Sequence, residues 1–164
     1  MSELQVKTMA EFMAEGKEAD LLFWVGSAGS FDDRAKKITR AFVKIMNKAG
    51  VNFGVLGAEE SSSGDAAKRA GNEFLFQMQA MTNIEVMNAY NVKRIVTACP
   101  HSYNILKNEY KGLGGDYKVQ HHTEFIAALV TEGKLTISAN LKGTKVTYHD
   151  PCYLGRANNV YDAP

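Results

Sequence analysis

The sequence predicts an α/β fold in which a mainly parallel sheet carries helices on both faces, a doubly wound, Rossmann-like three-layer arrangement. Three observations carry that expectation. Apolar runs of strand length recur along the chain. Stretches with three- and four-residue apolar spacing separate them, and most runs end in glycine, serine, cysteine or histidine. Strand, loop and helix alternate at least four times. Such alternation implies crossover connections that gather the loops after the strands at one sheet edge, where ligands bind in folds of this class.

Residues 1–19 are mixed and polar, with a short helix expected over 9–14 and ended near Gly16. Residues 21–26 are apolar and bulky, as in a strand buried on both faces. The turn Ser27-Ala28-Gly29-Ser30 then leads into a helix whose apolar face is Ile38, Ala41, Phe42, Ile45 and Met46, with lysines and Arg40 largely elsewhere. Gly50 closes that helix in the manner of a C-terminal cap. A second strand is expected over 51–56, followed by a serine-rich loop to Asp65 and a long helix reaching Tyr90. Its stripe reads Ala67, Ala70, Phe74, Met78 and Met81, and the methionines 78, 81 and 87 read as core packing. A third strand is expected over 92–98, a helix from Pro100 to about Tyr110, and a glycine-rich turn over 112–115. A fourth strand at 117–120 precedes a helix from Thr123, and a fifth is expected over 145–149 after the turn Lys142-Gly143.

The chain has 164 residues, 45% of them hydrophobic, enough for one domain with a substantial core. A net charge of +1 with interspersed signs leaves no footprint for nucleic acid. No apolar run approaches the ~20 residues of a membrane helix, and residues 1–7 lack the apolar core of a secretory signal. Two cysteines, Cys99 and Cys152, cannot build a disulfide framework, which suits a reducing cytoplasm.

The strand-end loops hold both cysteines and all four histidines. Cys99, at a strand end and helix start, is placed to be a reactive thiol or a metal ligand, or else a small buried residue capped by a serine further on. The segment Gly26-Ser27-Ala28-Gly29-Ser30 resembles an anion-cradling turn, but its composition favours a plain tight turn. Ser63 or Asp65 can cap the following helix. His101, His121, His122 and His149, with Cys99 and Cys152, are candidates for zinc ligation, against the plainer reading of histidines bonded to backbone.

Three segments carry a resemblance: Phe23-Trp24-Val25-Gly26-Ser27-Ala28-Gly29, Glu60-Ser61-Ser62-Ser63-Gly64-Asp65 and Ala98-Cys99-Pro100-His101-Ser102. Val119-Gln120-His121-His122-Thr123 and His149-Asp150-Pro151-Cys152-Tyr153-Leu154-Gly155-Arg156 extend it, so that it covers nearly all of residues 8–164. Together they resemble the cysteine-rich CCG domain of heterodisulfide-reductase-type iron–sulfur proteins, whose relatives include iron–sulfur subunits of glycolate and lactate oxidation systems and electron-transfer-flavoprotein-linked oxidoreductases. That family's repeat places a cysteine after the first strand, Cys-Cys-Gly or Cys-Thr-Gly after the second and Cys-Pro-x-Cys after the third, usually in pairs of repeats. The resemblance implies an N-terminal extension or short helix at 1–19, a first repeat at 20–143, and a second repeat that opens at 144–164 and stops.

The resemblance puts Ser27, Ser62, Cys99 and Ser102 at cluster-ligand positions, three of them serine. It makes Cys152 a member of the second repeat and the histidines outer-shell candidates that tune a cluster by hydrogen bonds. Serine hydroxyls stay protonated near neutral pH and are poor iron ligands, and one or two thiolates cannot hold a [4Fe–4S] cluster that needs about four. Serine at these positions inside an otherwise kept motif points to an engineered cysteine-to-serine chain, or to a lineage that lost its cluster. The implied function is a fragment of an electron-transfer oxidoreductase subunit, inactive and cluster-free by itself. Its parent would sit in the cytoplasm, or at the inner membrane face through flavoprotein or quinone-linked partner subunits. A zinc-binding or structural domain and a small-anion-binding module are the alternatives. An exposed sheet edge would also offer a route to self-association.

Overall fold

Leu21, Leu22, Phe23 and Trp24 are all buried and form the central strand of the sheet. The computed structural model describes residues 4–138 and 142–164; residues 1–3 of the N-terminal stretch and 139–141 lie outside the described residues. Among the described residues the strands are β1 (Lys7–Thr8), β2 (Leu21–Trp24), β3 (Phe53–Val55), β4 (Arg94–Thr97) and β5 (Lys118–His121), in the order β1-β3-β2-β4-β5. Every pairing is parallel, with Leu22 opposite Ile95 and Thr97 opposite His121. The predicted α/β architecture is present.

Side chains alternate across a strand, so β2 feeds two cores. Leu22 and Trp24 point into one, with Ile95 and Val119. That core is covered by Phe76, Ala80, Ile84 and Met87 of α5 (Glu73–Ala89) and by Tyr103, Ile105 and Leu106. Leu21 and Phe23 point into the other, with Val96, under Phe42, Val43 and Met46 of α3 (Asp33–Lys48) and Phe125 and Leu129 of α7 (His122–Thr131). Both faces of the sheet are therefore covered.

Several expectations hold: α1 spans Met9–Ala14, and Gly50 follows the end of α3 with φ 66°. Others need correction. The turn expected after β2 is a short helix, α2 (Gly26–Phe31). The long helix is two, α4 (Asp65–Arg69) and α5, because Gly71 turns the chain at φ 78° and Asn72 caps the restart by accepting from Leu75 N–H at 3.0 Å. That break changes the phase, and α5 is apolar on more than one face, so the expected stripe is displaced. Phe74, Met78 and Met81 are 76%, 52% and 59% exposed, while Phe76, Ala80, Ile84 and Met87 are buried. Ile38 is likewise exposed, although Phe42 and Met46 are core.

The helix after β4 starts as α6 (Pro100–Asn104), widens into a π turn at Ile105–Glu109 and tightens at Tyr110–Leu113. The strand expected at 145–149 does not form. Those residues are exposed and no strand among the described residues pairs with them, so period-2 apolar patterning alone is not enough to join the sheet. β1, two residues long, has no signal in the sequence and pairs with β3 through Lys7–Gly54 and Thr8–Val55. Leu154, in the C-terminal segment, is buried in the same core as Trp24.

Candidate functional site

β2 and β4 are neighbours whose chain connections leave in opposite directions, β2 toward β3 and β4 toward β5. Such a switch point opens a crevice outside the carboxyl ends of the strands. Gly26 follows β2 at φ 77°, a conformation natural to glycine. A β-carbon placed there would lie 3.7 Å from Ser102 Oγ, 3.9 Å from Cys99 Cβ and 4.0 Å from Trp24 Nε1. Gly26 is thus the open seat at which the segments following β2 and β4, the first and third loops, meet. Cys99 precedes α6 in extended conformation, its N–H donating to Thr97 Oγ1 at 3.2 Å, with Pro100 opening the helix. Cys99 is partly exposed, Ser102 is 4% exposed, and the buried Trp24 Nε1–H has no partner among the described residues.

The second loop is tied down by its neighbours. Ser61 Oγ donates to Asn83 Oδ1 at 3.0 Å, and Asn83 Nδ2 donates to Ser62 O at 2.8 Å. Tyr110 O–H donates to Ser63 O at 3.0 Å, and burial raises its pKa far above the usual phenol value. Ser62 Oγ accepts from Gly64 N–H at 3.2 Å. Contrary to the sequence expectation, neither Ser63 nor Asp65 caps α4; Gly64 stands at the cap with φ 82°. Val25, Gly26, Ser27, Ser30, Glu60 and Ser62 line a crevice of ≈ 360 Å³ between the first and second loops. Glu60 accepts from the N–H groups of Val25 at 2.9 Å and Gly26 at 2.6 Å. Burial raises the Glu60 pKa, against the pull of these two bonds. The Gly26 amide, the first that an anion-cradling turn would offer a ligand, is therefore taken by the chain's own carboxylate.

Asp65 reaches the third loop instead, with Oδ2 2.8 Å from His101 Nδ1. Arg69 pairs with Glu109 and lies 3.5 Å from Asp65 Oδ1. The C-terminal segment docks on this rim: the Tyr153 ring lies 4.7 Å from His101, with Arg69 5.8 Å from it. Asn158 donates to Asn104 Oδ1 at 2.9 Å and to Tyr153 O at 2.6 Å. Cys152, exposed, accepts from Arg156 Nη1 at 3.4 Å.

His121 lies behind the third loop and is buried. Its Nε2 donates to Ala98 O at 3.2 Å and its Nδ1 accepts from Thr123 Oγ1 at 2.8 Å. Burial, helped by the neighbouring His122, lowers its pKa to about 4, and burial lowers that of His122 as well. His149 is exposed. Cys99, Ser102 and the Ser27 loop are thus brought together, Ser62 faces Ser27 across the crevice, and Cys152 sits on the rim beyond His101. Glu60, Asn83 and Tyr110, which hold this arrangement, escape a reading of the sequence; an acidic residue directly before a serine run is the one visible signal.

The donor set does not fit an iron–sulfur cluster. Positions 27, 62, 99 and 102 offer one thiol and three hydroxyls, where a cluster takes about four thiolates. No group of three or more His, Cys, Asp or Glu that could hold a metal ion occurs among the described residues.

Residues 22–107 match the family model of the cysteine-rich domain, CCG. The chain is 52% identical over 165 residues to the "EtfAB:quinone oxidoreductase" of Syntrophomonas wolfei, a match covering 100% of this chain and 23% of that protein. It is 51% identical over 162 residues to the "Probable iron-sulfur-binding oxidoreductase FadF" of Bacillus subtilis, covering 99% of this chain and 23% of the relative. A component of the dihydromethanophenazine:CoB–CoM heterodisulfide reductase of Methanosarcina mazei is 32% identical over 153 residues, covering 90% of this chain and 37% of the relative. The chain thus spans about a quarter of the length of the first two relatives. No solved structure matches it.

Proposed function

The chain belongs to the CCG cysteine-rich domain family, and from that premise we propose that it is a piece of an iron–sulfur electron-transfer oxidoreductase subunit. The observation that carries the proposal is the meeting of Gly26, Cys99 and Ser102 at the β2/β4 switch point, with Ser27 and Ser62 facing each other across the adjoining crevice. In cysteine form, positions 27, 62, 99 and 102 would supply the thiolates. As the chain stands, they hold no cluster. His101, His121 and His122 border the site as hydrogen-bonding groups, and Cys152 belongs to a second repeat opening at 144–164, after a first repeat at 20–143.

The names of the relatives support partners of two kinds, an electron-transfer flavoprotein and a quinone-linked subunit. No helix among the described residues is long and apolar enough to cross a membrane. A cytoplasmic place, or one at the inner membrane face reached through partner subunits, completes the proposal.

Restoring cysteine at 27, 62 and 102 and reconstituting anaerobically with iron and sulfide tests this reading. The expected result is bound iron and a thiolate-to-iron band near ~400 nm, both absent from the serine chain. A restored chain that keeps its circular dichroism yet binds no iron would sink the assignment. Stoichiometric zinc in either chain, without iron, would favour a zinc domain instead.

A further inference from the structure

The ladder between β2 and β3 stops at the pair Leu22–Gly54, two residues before β2 ends. The strands part there, and the crevice between the Ser27 and Ser62 loops opens beyond the last rung. Glu60 spans that gap. Its carboxylate accepts from two consecutive backbone N–H groups, of Val25 at 2.9 Å and Gly26 at 2.6 Å. Charge-assisted bonds of this kind are the strong ones, and two on one carboxylate fix orientation as well as distance. The peptide so held is the one that touches the third loop, since the Gly26 seat lies 3.7 Å from Ser102 Oγ and 3.9 Å from Cys99 Cβ.

We propose that Glu60 is the positioning residue of the site. It sets the separation between the loops carrying positions 27 and 62, and it presses Gly26 against the clip of Cys99 and Ser102. This deepens the functional reading above and rests on its assignment of those positions.

Two variants of the full chain test the proposal. Glu60→Ala removes both acceptors. Glu60→Gln keeps the size and one acceptor oxygen but turns an amide donor toward the other N–H. In Glu60→Ala, modification of Cys99 by an aromatic disulfide reagent is expected to accelerate about tenfold, and exchange of the Gly26 amide by a similar factor, the scale of losing hydrogen bonds to a charged acceptor. Glu60→Gln should fall between the two, and the exposed Cys152 should react at its original rate in both. Circular dichroism reports whether each variant is folded; if Glu60→Ala is not, Glu60→Gln carries the test. Unchanged Cys99 reactivity and unchanged Gly26 exchange would overturn the proposal.

A second arm separates this outcome from failure of the cluster reading. In the chain with cysteine restored at 27, 62 and 102, Glu60→Gln should shift the absorption band and lower iron content after reconstitution. Identical loading and spectrum with and without Glu60 would overturn the positioning role. A restored chain that loads no iron, while Cys99 protection still depends on Glu60, would overturn the cluster reading and leave the loop clamp standing.

Discussion

The Asn83 side chain donates to the Tyr110 phenol oxygen at 3.0 Å beneath the loop that carries Ser62. Asn83 is 0% exposed and sits on the core face of α5, where periodicity would place an apolar residue. The site accounts for it. One Asn83 nitrogen serves both Ser62 O and Tyr110 OH, the Asn83 oxygen takes the Ser61 hydroxyl, and Tyr110 donates its own proton to Ser63 O.

Replacing Asn83 by leucine should therefore cost about 2–4 kcal/mol, because several buried polar groups lose partners at once. Urea unfolding followed by circular dichroism measures it. A change under about 0.5 kcal/mol, the level of an ordinary surface substitution, would show that the network does not anchor the loop.

The two faces of α5 make opposite predictions. Phe76→Ala should lose about 3–5 kcal/mol, as expected for emptying a core aromatic site, whereas Phe74→Lys should stay within about 0.5 kcal/mol of the parent. Equal costs at both positions would mean that the helix presents a different face to the sheet.

Two glycines separate backbone strain from steric conflict. Both Gly26 and Gly64 have positive φ, 77° and 82°. At Gly26 an added β-carbon meets its neighbours at 3.7 Å or more, so alanine there should cost about 1–2 kcal/mol of backbone strain alone. At Gly64 it would lie 2.8 Å from the Phe76 ring, which is itself core, and the cost should reach about 2–4 kcal/mol. Thermal unfolding of the two variants should rank them in that order.

Acid should destabilise the chain through His121. Its folded pKa, about 4, lies below the ordinary 6.5, so between those values the unfolded chain binds the proton and the folded chain does not. Stability present above pH 6.5 is accordingly lost as pH falls toward 4, by up to about 3 kcal/mol. Glutamine at 121 keeps a donor for Ala98 O without a titrating ring. Urea midpoints of His121→Gln should fall less steeply over this pH window than those of the parent, and parallel curves would rule out His121 as the cause.

The alternation of apolar runs and amphipathic stretches determined by itself the α/β class, the parallel sheet and the placing of Ser27, Ser62, Cys99 and Ser102 beyond the carboxyl ends of the strands. Those features depend on residue order, and each element declares its own periodicity. Tertiary structure decided what local pattern could not. It chose Phe76 and Ala80 over Phe74 and Met81 as the buried face of α5, because a helix apolar on more than one face is oriented only by what it packs against. It left residues 145–149 outside the sheet, since a strand exists only where a neighbour accepts its hydrogen bonds. It also brought Glu60 to Gly26 and Asn83 to the Ser62 loop across more than twenty residues of chain, through contacts that leave no periodic trace in sequence.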